Sequence, residues 1–584
     1  MKLPKIPLAQ TVIKLCELKG IKHIIISPGS RNAPLTIGFT NHSFFKCYSI
    51  VDERSAAFFA LGIAQQLNEA VALVCTSGSA LLNYYPAVAE AYFSEIPLVI
   101  LSSDRPEYLV GIGDGQTIDQ KNVYGNHVLF SANLKEDIKA ERSNQGQEPK
   151  IIQGLENKLE KFIGIQRTIQ EKNAEKINSA LNTAILNNGP VHINLPFNEP
   201  LYETIDHFII EQLSAELNKT APKIDEQSLD ELVDQWNAAS KKMILVGVNH
   251  PNEIEQELLE KLTDDESVII FTETTSNLHH QDFFPSIDKI IAPLTESEFE
   301  QLQPEILLTI GGMIVSKKIK AFLRQFQPKQ HWHLGENRAN DTFFCLNHHL
   351  NYAPNDFLLK FLDKIKNQRS EYKPYWSEIR TLRKSKHDHY LDTIPFCDLK
   401  TFDIVLKALP DDSILQVGNS SAIRYVQLFD LKPSIEVFCN RGTSGIDGST
   451  STAVGSAVVS QKQTTLITGD LSFFYDSNGL WNDHIPANFR IIVINNGGGG
   501  IFRILPGHKN TENFDTYFET THNLSANHLS EMYNFEYFKA EKASEINEVL
   551  GGFFKASDKP KILEVITPRT TNDEILLNYF NYIK

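Results

Sequence analysis

A chain of 584 residues is too long for one hydrophobic core, and its length predicts about three or four domains. Its 41% hydrophobic and 22% charged residues are ordinary for a globular protein. A net charge of −16 argues against general affinity for nucleic acid or anionic membrane, so any anionic small molecule must be met by locally gathered cations. The N-terminal Met1-Lys2-Leu3-Pro4-Lys5-Ile6-Pro7 lacks a continuous apolar segment for a signal peptide, and no apolar run approaches the ~20 residues that span a bilayer. A cytoplasmic protein without membrane insertion is expected. The six cysteines are scattered without a C-x-x-C pair, which predicts reduced, mostly buried thiols and no zinc site.

Short β-branched runs ending in Gly, Ser, Asn or Asp recur along the chain, with helical patterns between them. The first block carries His23-Ile24-Ile25-Ile26, Val71-Ala72-Leu73-Val74 and Pro97-Leu98-Val99-Ile100-Leu101, and closes on Val191-His192-Ile193-Asn194-Leu195-Pro196. A polar stretch, Asn133 to Lys176, reads as helical and receives no chemistry. The second block carries Met243-Ile244-Leu245-Val246, Val268-Ile269-Ile270-Phe271 and Ile306-Leu307-Leu308-Thr309-Ile310. The third carries Ser413-Ile414-Leu415-Gln416-Val417, Thr464-Thr465-Leu466-Ile467-Thr468 and Ile491-Ile492-Val493-Ile494. Uniformly apolar strands alternating with helices predict an α/β protein of three doubly wound parallel-sheet domains. The boundaries are set at 1–200, 201–390 and 391–584.

Polar motifs follow these strands, where open α/β sheets bind ligands. Gly469-Asp470-Leu471-Ser472 follows one, and Asn495-Asn496 follows the next about 25 residues later, leading into Gly497-Gly498-Gly499-Gly500. A carboxylate, an amide oxygen and a backbone carbonyl suit a hard divalent cation. Ser27-Pro28-Gly29-Ser30-Arg31 follows a strand in the first block. Val51-Asp52-Glu53-Arg54-Ser55 opens an Ala/Phe-rich helix, and Gly111 to Gln120 forms a glycine-rich loop that is not G-x-G-x-x-G. No histidine sits inside the motifs; His127 and His508 lie outside them.

Together with Asp104-Arg105-Pro106 and Asn440-Arg441-Gly442-Thr443-Ser444-Gly445-Ile446-Asp447-Gly448, these motifs resemble, over the whole length, the SEPHCHC (2-succinyl-5-enolpyruvyl-6-hydroxy-3-cyclohexene-1-carboxylate) synthases. These form the MenD family of thiamine diphosphate (ThDP)-dependent enzymes in menaquinone biosynthesis. The resemblance implies a fold of the ThDP-dependent decarboxylase type, with pyrimidine-binding, central and diphosphate-binding domains in that order. It implies decarboxylation of 2-oxoglutarate and conjugate addition of the resulting carbanion to isochorismate, with ThDP and Mg²⁺ (or Mn²⁺) as cofactors. It also implies a homodimer or homotetramer.

The resemblance assigns Glu53 the catalytic carboxyl at the cofactor's pyrimidine, and burial at the start of an apolar helix suits that role by raising its pKa. Asp470, Asn496 and the Gly498 carbonyl become the metal ligands, and Ile446 the residue that bends the cofactor. Gln116, Ser420, Leu471, Ser472, Ile501 and Phe502 complete the cofactor set; Leu471 stands where the commoner motif has glycine. Arg31, Arg105, Arg424, Arg441, Lys317 and Lys318, with Ser30 and Gln116, are the expected substrate ligands. Arginine suits bidentate carboxylate recognition. The alternatives are another ThDP enzyme, such as an acetohydroxyacid synthase or oxalyl-CoA decarboxylase, and a non-catalytic protein that keeps the fold as a binding module.

Overall fold

The computed structural model describes residues 2–584 except 138–151, 212, 214–215, 218–221 and 505–510; for residues 152–166 it describes the backbone alone. Parallel strands form where the β-branched runs lie. The first sheet, in spatial order β3-β2-β4-β5-β7-β6, is built from β2 His23–Ile26, β3 Lys46–Ser49, β4 Val71–Cys75, β5 Leu98–Asp104, β6 Phe130–Asn133 and β7 Val191–Pro196. The unpredicted β1 Leu3–Pro4 and β8 Thr204–Ile205 pair antiparallel outside it; two residues per strand carry no periodicity to read. The second sheet, β10-β9-β11-β12-β13, joins β9 Lys242–Val246, β10 Val268–Thr272, β11 Ile306–Ile310, β12 Gln330–Leu334 and β13 Leu346–Leu350. The third, β15-β14-β16-β17-β19-β18, joins β14 Ile414–Val417, β15 Glu436–Phe438, β16 Thr464–Gly469, β17 Arg490–Asn495, β18 Glu536–Ala540 and β19 Lys561–Ile566.

Apolar side chains on both strand faces explain why the sheets are covered twice. In β9, Ile244 and Val246 enter one core with Trp236, Trp332 and Phe361, while Met243 and Leu245 enter another with Phe271, Phe322 and Trp376. In each sheet the chain's first strand is flanked by its second and third: β2 by β3 and β4, β9 by β10 and β11, β14 by β15 and β16. Connections therefore leave in opposite directions from neighbouring strand ends, opening a crevice there.

Two compact units result. The first comprises Met1–Lys219 with Val454–Val459 and Asn478–His484; the second comprises the rest and holds the second and third sheets. Those two sheets are stitched by Asn277, whose Nδ2 donates to the Val437 carbonyl (3.0 Å) while its Oδ1 accepts from the Val437 N–H (2.7 Å). Ser286 donates to the Asp430 carboxylate at 2.8 Å, and the buried Lys289 ammonium lies 3.5 Å from it. The polar segment Asn133 to Lys176 ends in a helix, Ile152–Leu186; the part at 138–151 lies outside the described residues, as does His508. Among the described residues no helix is long and apolar enough to cross a membrane.

At the crevice of the second sheet the ends of β9 and β11 cross at glycines. The Gly312 N–H donates to the Val248 carbonyl (2.7 Å), and a Cβ at Gly247 would lie 2.2 Å from the Gly312 carbonyl oxygen. Gly247→Ala must push these two backbones apart. It is expected to destabilise the second unit by about 1–3 kcal/mol, read as a lowered urea midpoint with unchanged m-value.

Candidate active site

In the first unit, Ser30 and Arg31 follow β2, Glu53 follows β3, Ser77 and Gly78 follow β4, and Arg105 follows β5. Gly29 lets the β2 loop close on β4, since a Cβ there would lie 2.4 Å from the Thr76 Cβ. Ser30 is exposed. The Arg31 guanidinium donates through Nη1 to the Phe197 carbonyl (3.1 Å) and approaches Glu199 (3.3 Å); its buried Nε has no partner.

Glu53 is the first residue of the helix Glu53–Leu67, capped by Asp52, whose Oδ1 accepts from the Ser55 N–H at 3.1 Å. A helix N-terminus ordinarily favours an ionised acid. Here half-burial dominates and raises the Glu53 pKa, Asp52 adding to it, while the residue's own backbone N–H works the other way. The carboxyl's field also reaches Cys75 and Tyr84, placing it toward the end of β4.

Arg105 is committed more heavily than the sequence suggests. Its Nε donates to Asp114 (2.8 Å), and its Nη1 to the Ser77 hydroxyl (2.6 Å) and the Gln116 carbonyl (3.1 Å). It thus pins the glycine-rich loop, whose exposed Gln116 takes φ +54°. Buried Gln120, which carried no predicted role, secures the other end: its Oε1 accepts from the Gly78 N–H (3.0 Å) and its Nε2 donates to Asn194 (2.7 Å).

In the second unit the ends of β16 and β17 meet at Asp470, which is 3% exposed. Its Oδ1 accepts from the Leu471 N–H (2.6 Å) and its Oδ2 from the Gly497 and Gly498 N–H groups (2.9 and 3.0 Å). His522 Nε2 approaches the same oxygen at 3.3 Å without hydrogen-bond geometry. Asn496 donates through Nδ2 to Asp398 (3.0 Å), so Oδ1 is the atom its amide presents for ligation. The Gly498 carbonyl accepts from the Gly500 N–H (3.0 Å), which leaves its second lone pair. A carboxylate, an amide oxygen and a carbonyl form an all-oxygen donor set, so these residues fit Mg²⁺ or Mn²⁺.

A brace holds this loop. Gly499 N–H donates to the Glu519 carbonyl (2.6 Å), and the buried Glu519 carboxylate takes Arg503 through both oxygens (2.6 and 2.5 Å) and Arg569 (2.9 Å). Ser472 donates to the Ile446 carbonyl at 2.9 Å, tying the expected cofactor-bending residue to the turn after Asp470. Half-buried Ile501 and exposed Phe502 begin the short helix Ile501–Ile504.

Cations collect at the remaining strand ends. Ser420, at the strained φ +67° and ψ −123°, accepts on its carbonyl from Arg424 Nη1 (2.8 Å). Asn419 accepts from Arg441 Nη1 (2.6 Å) and donates to the carbonyls of Asn440 (2.7 Å) and Gly445 (2.8 Å). Arg441 Nε is a second buried donor with no partner. Burial, then the Arg441 charge, lowers the Arg424 pKa. Lys317 and Lys318 open the helix Lys317–Gln325; both are exposed, and the Lys318 ammonium lies 4.7 Å from the Phe580 ring centre. Lys320, absent from the predicted set, is half-buried in the field of Glu273 and Arg441. Asp398, Asn419, Glu519, Glu273 and Lys320, like Gln120, are residues sequence reasoning missed. Only Glu273 and Asn419 carried a signal, a polar residue just past an apolar strand.

Residues 6–123 match the family model described as thiamine pyrophosphate enzyme, N-terminal TPP binding domain. The fold is similar to that of a thiamine diphosphate-dependent 4-hydroxybenzoylformate decarboxylase from Rhodococcus jostii RHA1 (TM-score 0.66, 16% identity, 96% of this chain and 99% of that one). The matched thiamine pyrophosphate domain, together with the synthase relatives that follow, defines a thiamine diphosphate-dependent enzyme. Curated proteins named 2-succinyl-5-enolpyruvyl-6-hydroxy-3-cyclohexene-1-carboxylate synthase are 54% identical in Christiangramia forsetii (100% of both chains) and 55% identical in Flavobacterium psychrophilum (99% of both). One from Porphyromonas gingivalis is 36% identical, covering 98% of this chain and 96% of its own. The chain belongs to the SEPHCHC synthase family.

Gly498 has φ +152°, and a Cβ there would lie 2.8 Å from the Glu519 carbonyl oxygen. Gly498→Ala should therefore dislodge the Asp470 clasp. Mg²⁺-dependent ThDP binding, followed by calorimetry, is expected to weaken about tenfold or more while the melting temperature falls only modestly.

Proposed function

We propose that this chain decarboxylates 2-oxoglutarate and adds the resulting four-carbon unit to isochorismate, releasing CO₂ and SEPHCHC for menaquinone biosynthesis. The observation that carries this reading is the set of cations at strand ends and on the helices that follow them, Arg31 in the first unit and Arg424, Arg441 and Lys320 in the second, with the Nε atoms of Arg31 and Arg441 buried without partners. Two dicarboxylate substrates need such cations in an acidic protein; a pyruvate-type substrate needs fewer.

When bound, ThDP supplies the nucleophilic carbon and the electron sink. Glu53 holds a proton at its carboxyl for the pyrimidine end. Asp470, Asn496 and Gly498 would hold the metal at the diphosphate end, Gln116, Ser420, Leu471, Ser472, Ile501 and Phe502 would hold the cofactor, and Ile446 would be the residue that bends it. Ser30, Arg31, Arg105, Gln116, Lys317, Lys318, Arg424 and Arg441 orient the substrates' carboxylates. Residues 1–200, 201–390 and 391–584 act as pyrimidine-binding, central and diphosphate-binding domains. The working species is a homodimer or homotetramer in the cytoplasm, and native mass spectrometry counts its subunits.

Mixing purified protein with ThDP, Mg²⁺ and 2-oxoglutarate, with and without isochorismate, should give SEPHCHC by mass only when both substrates are present. Preferential CO₂ release from pyruvate would sink the reading. Glu53→Gln should fold and keep its ThDP affinity yet lose on the order of 100-fold or more in kcat, measured by isochorismate consumption; unchanged turnover removes Glu53 from the mechanism.

A further inference from the structure

Glu273 stands immediately past β10, at the crevice of the second sheet, and is 3% exposed. Its two carboxylate oxygens accept from successive backbone N–H groups, Oε2 from Val315 and Oε1 from Ser316, both at 2.7 Å. Its own N–H donates to Ser276 Oγ (2.9 Å), which in turn donates to the Val246 carbonyl at the end of β9 (2.7 Å). The acid is thus fixed to two strands and grips the loop that leaves the third. Ser316 is also the N-cap of the helix Lys317–Gln325: its Oγ accepts from the Ile319 N–H (3.1 Å) and donates to the Asp288 carboxylate. One carboxylate on two consecutive amides sets the direction in which that helix departs, and with it the first-turn lysines.

The charges lie in the same arrangement. Glu273 acts on Lys320, and its own carboxyl feels Arg441; Asp288 feels Lys318 and Arg424. Two buried acids therefore lie beneath cations that otherwise repel one another, Arg424 against Arg441 and Lys320 against Lys317.

We propose that Glu273 is a positioning residue for substrate binding: its clamp on the Val315 and Ser316 amides holds Lys317, Lys318 and Lys320 in one electrostatic field with Arg424 and Arg441, ready for the substrate's carboxylates. This rests on the assignment of those cations to substrate given above. Glu273→Gln keeps the size of the side chain but turns an amide NH₂ toward one of the two backbone donors.

The test is steady-state kinetics of the ThDP- and Mg²⁺-loaded enzyme for Glu273→Gln, Lys317→Ala, Lys318→Ala and Lys320→Ala. For whichever substrate the lysine variants affect, Glu273→Gln should raise KM about tenfold, with kcat within about threefold and ThDP affinity unchanged. Glu273→Asp, with the charge kept and the reach shortened, should fall between. A purely structural role lowers the melting temperature and leaves KM alone. If KM rises in the lysine variants but not in folded Glu273→Gln, the clamp is overturned and the substrate reading stands. If KM is unchanged in all four, the lysine assignment and the proposal fall together. Should Glu273→Gln not fold, Glu273→Asp decides: its shortened reach loosens the grip on the Val315 and Ser316 amides, and an unchanged KM there overturns the proposal.

Discussion

The carboxylate of Asp470, buried at the end of β16 and gripped by three backbone N–H groups, is the contact on which the proposed metal-binding end depends. Two of those N–H groups belong to Gly497 and Gly498, so the acid locks the turn after β17 against the turn after β16. Buried acids are costly unless their oxygens are satisfied. Backbone donors satisfy this one with no lysine or arginine bound to it and only His522 Nε2 nearby at 3.3 Å, which suits the metal-ligand role proposed for it. The Glu519 brace works differently, since its two arginines neutralise it and make it a purely mechanical support.

The same economy explains the cationic side. In a chain of net charge −16, a surface cation is screened and surrounded by acids. Arg441 and Arg424 are instead half-buried at strand ends, with Glu273 and Asp288 set beneath the cation cluster. The acids offset mutual repulsion among the cations while their oxygens are turned to backbone and hydroxyl donors. Burial raises the pKa of both acids, Glu273 to about 7, so they offset only part of that repulsion.

Much of this was legible in the chain because it is local. The runs at Thr464–Thr468 and Ile491–Ile494 announce β16 and β17, and with them the placing of Asp470 and Asn496 at strand C-terminal ends. What could not be read depends on partners remote in sequence. Asp398 orients Asn496 from 98 residues away, and Arg569 meets Glu519 from 50 residues away. Glu273 sits in the right place for its type, but its meaning lies in two amides more than 40 residues downstream. Lys320 escaped notice because helical register, not adjacency to a motif, turns it toward Arg441. Arg105, expected as a substrate ligand, is bonded to Ser77 and Asp114, and what these bonds do is shape the loop.

The third sheet has its last strand in an interior place, β19 between β17 and β18. Until residues 561–566 leave the ribosome, β17 has an open edge beside the segment that carries Asn495 and Asn496. Arg569 follows three residues after that strand. The turn that carries both asparagines thus gains its outer strand and its Arg569 support only after residues 561–569 are made, whereas the Asp398 and Asp470 that grip it precede it in the chain.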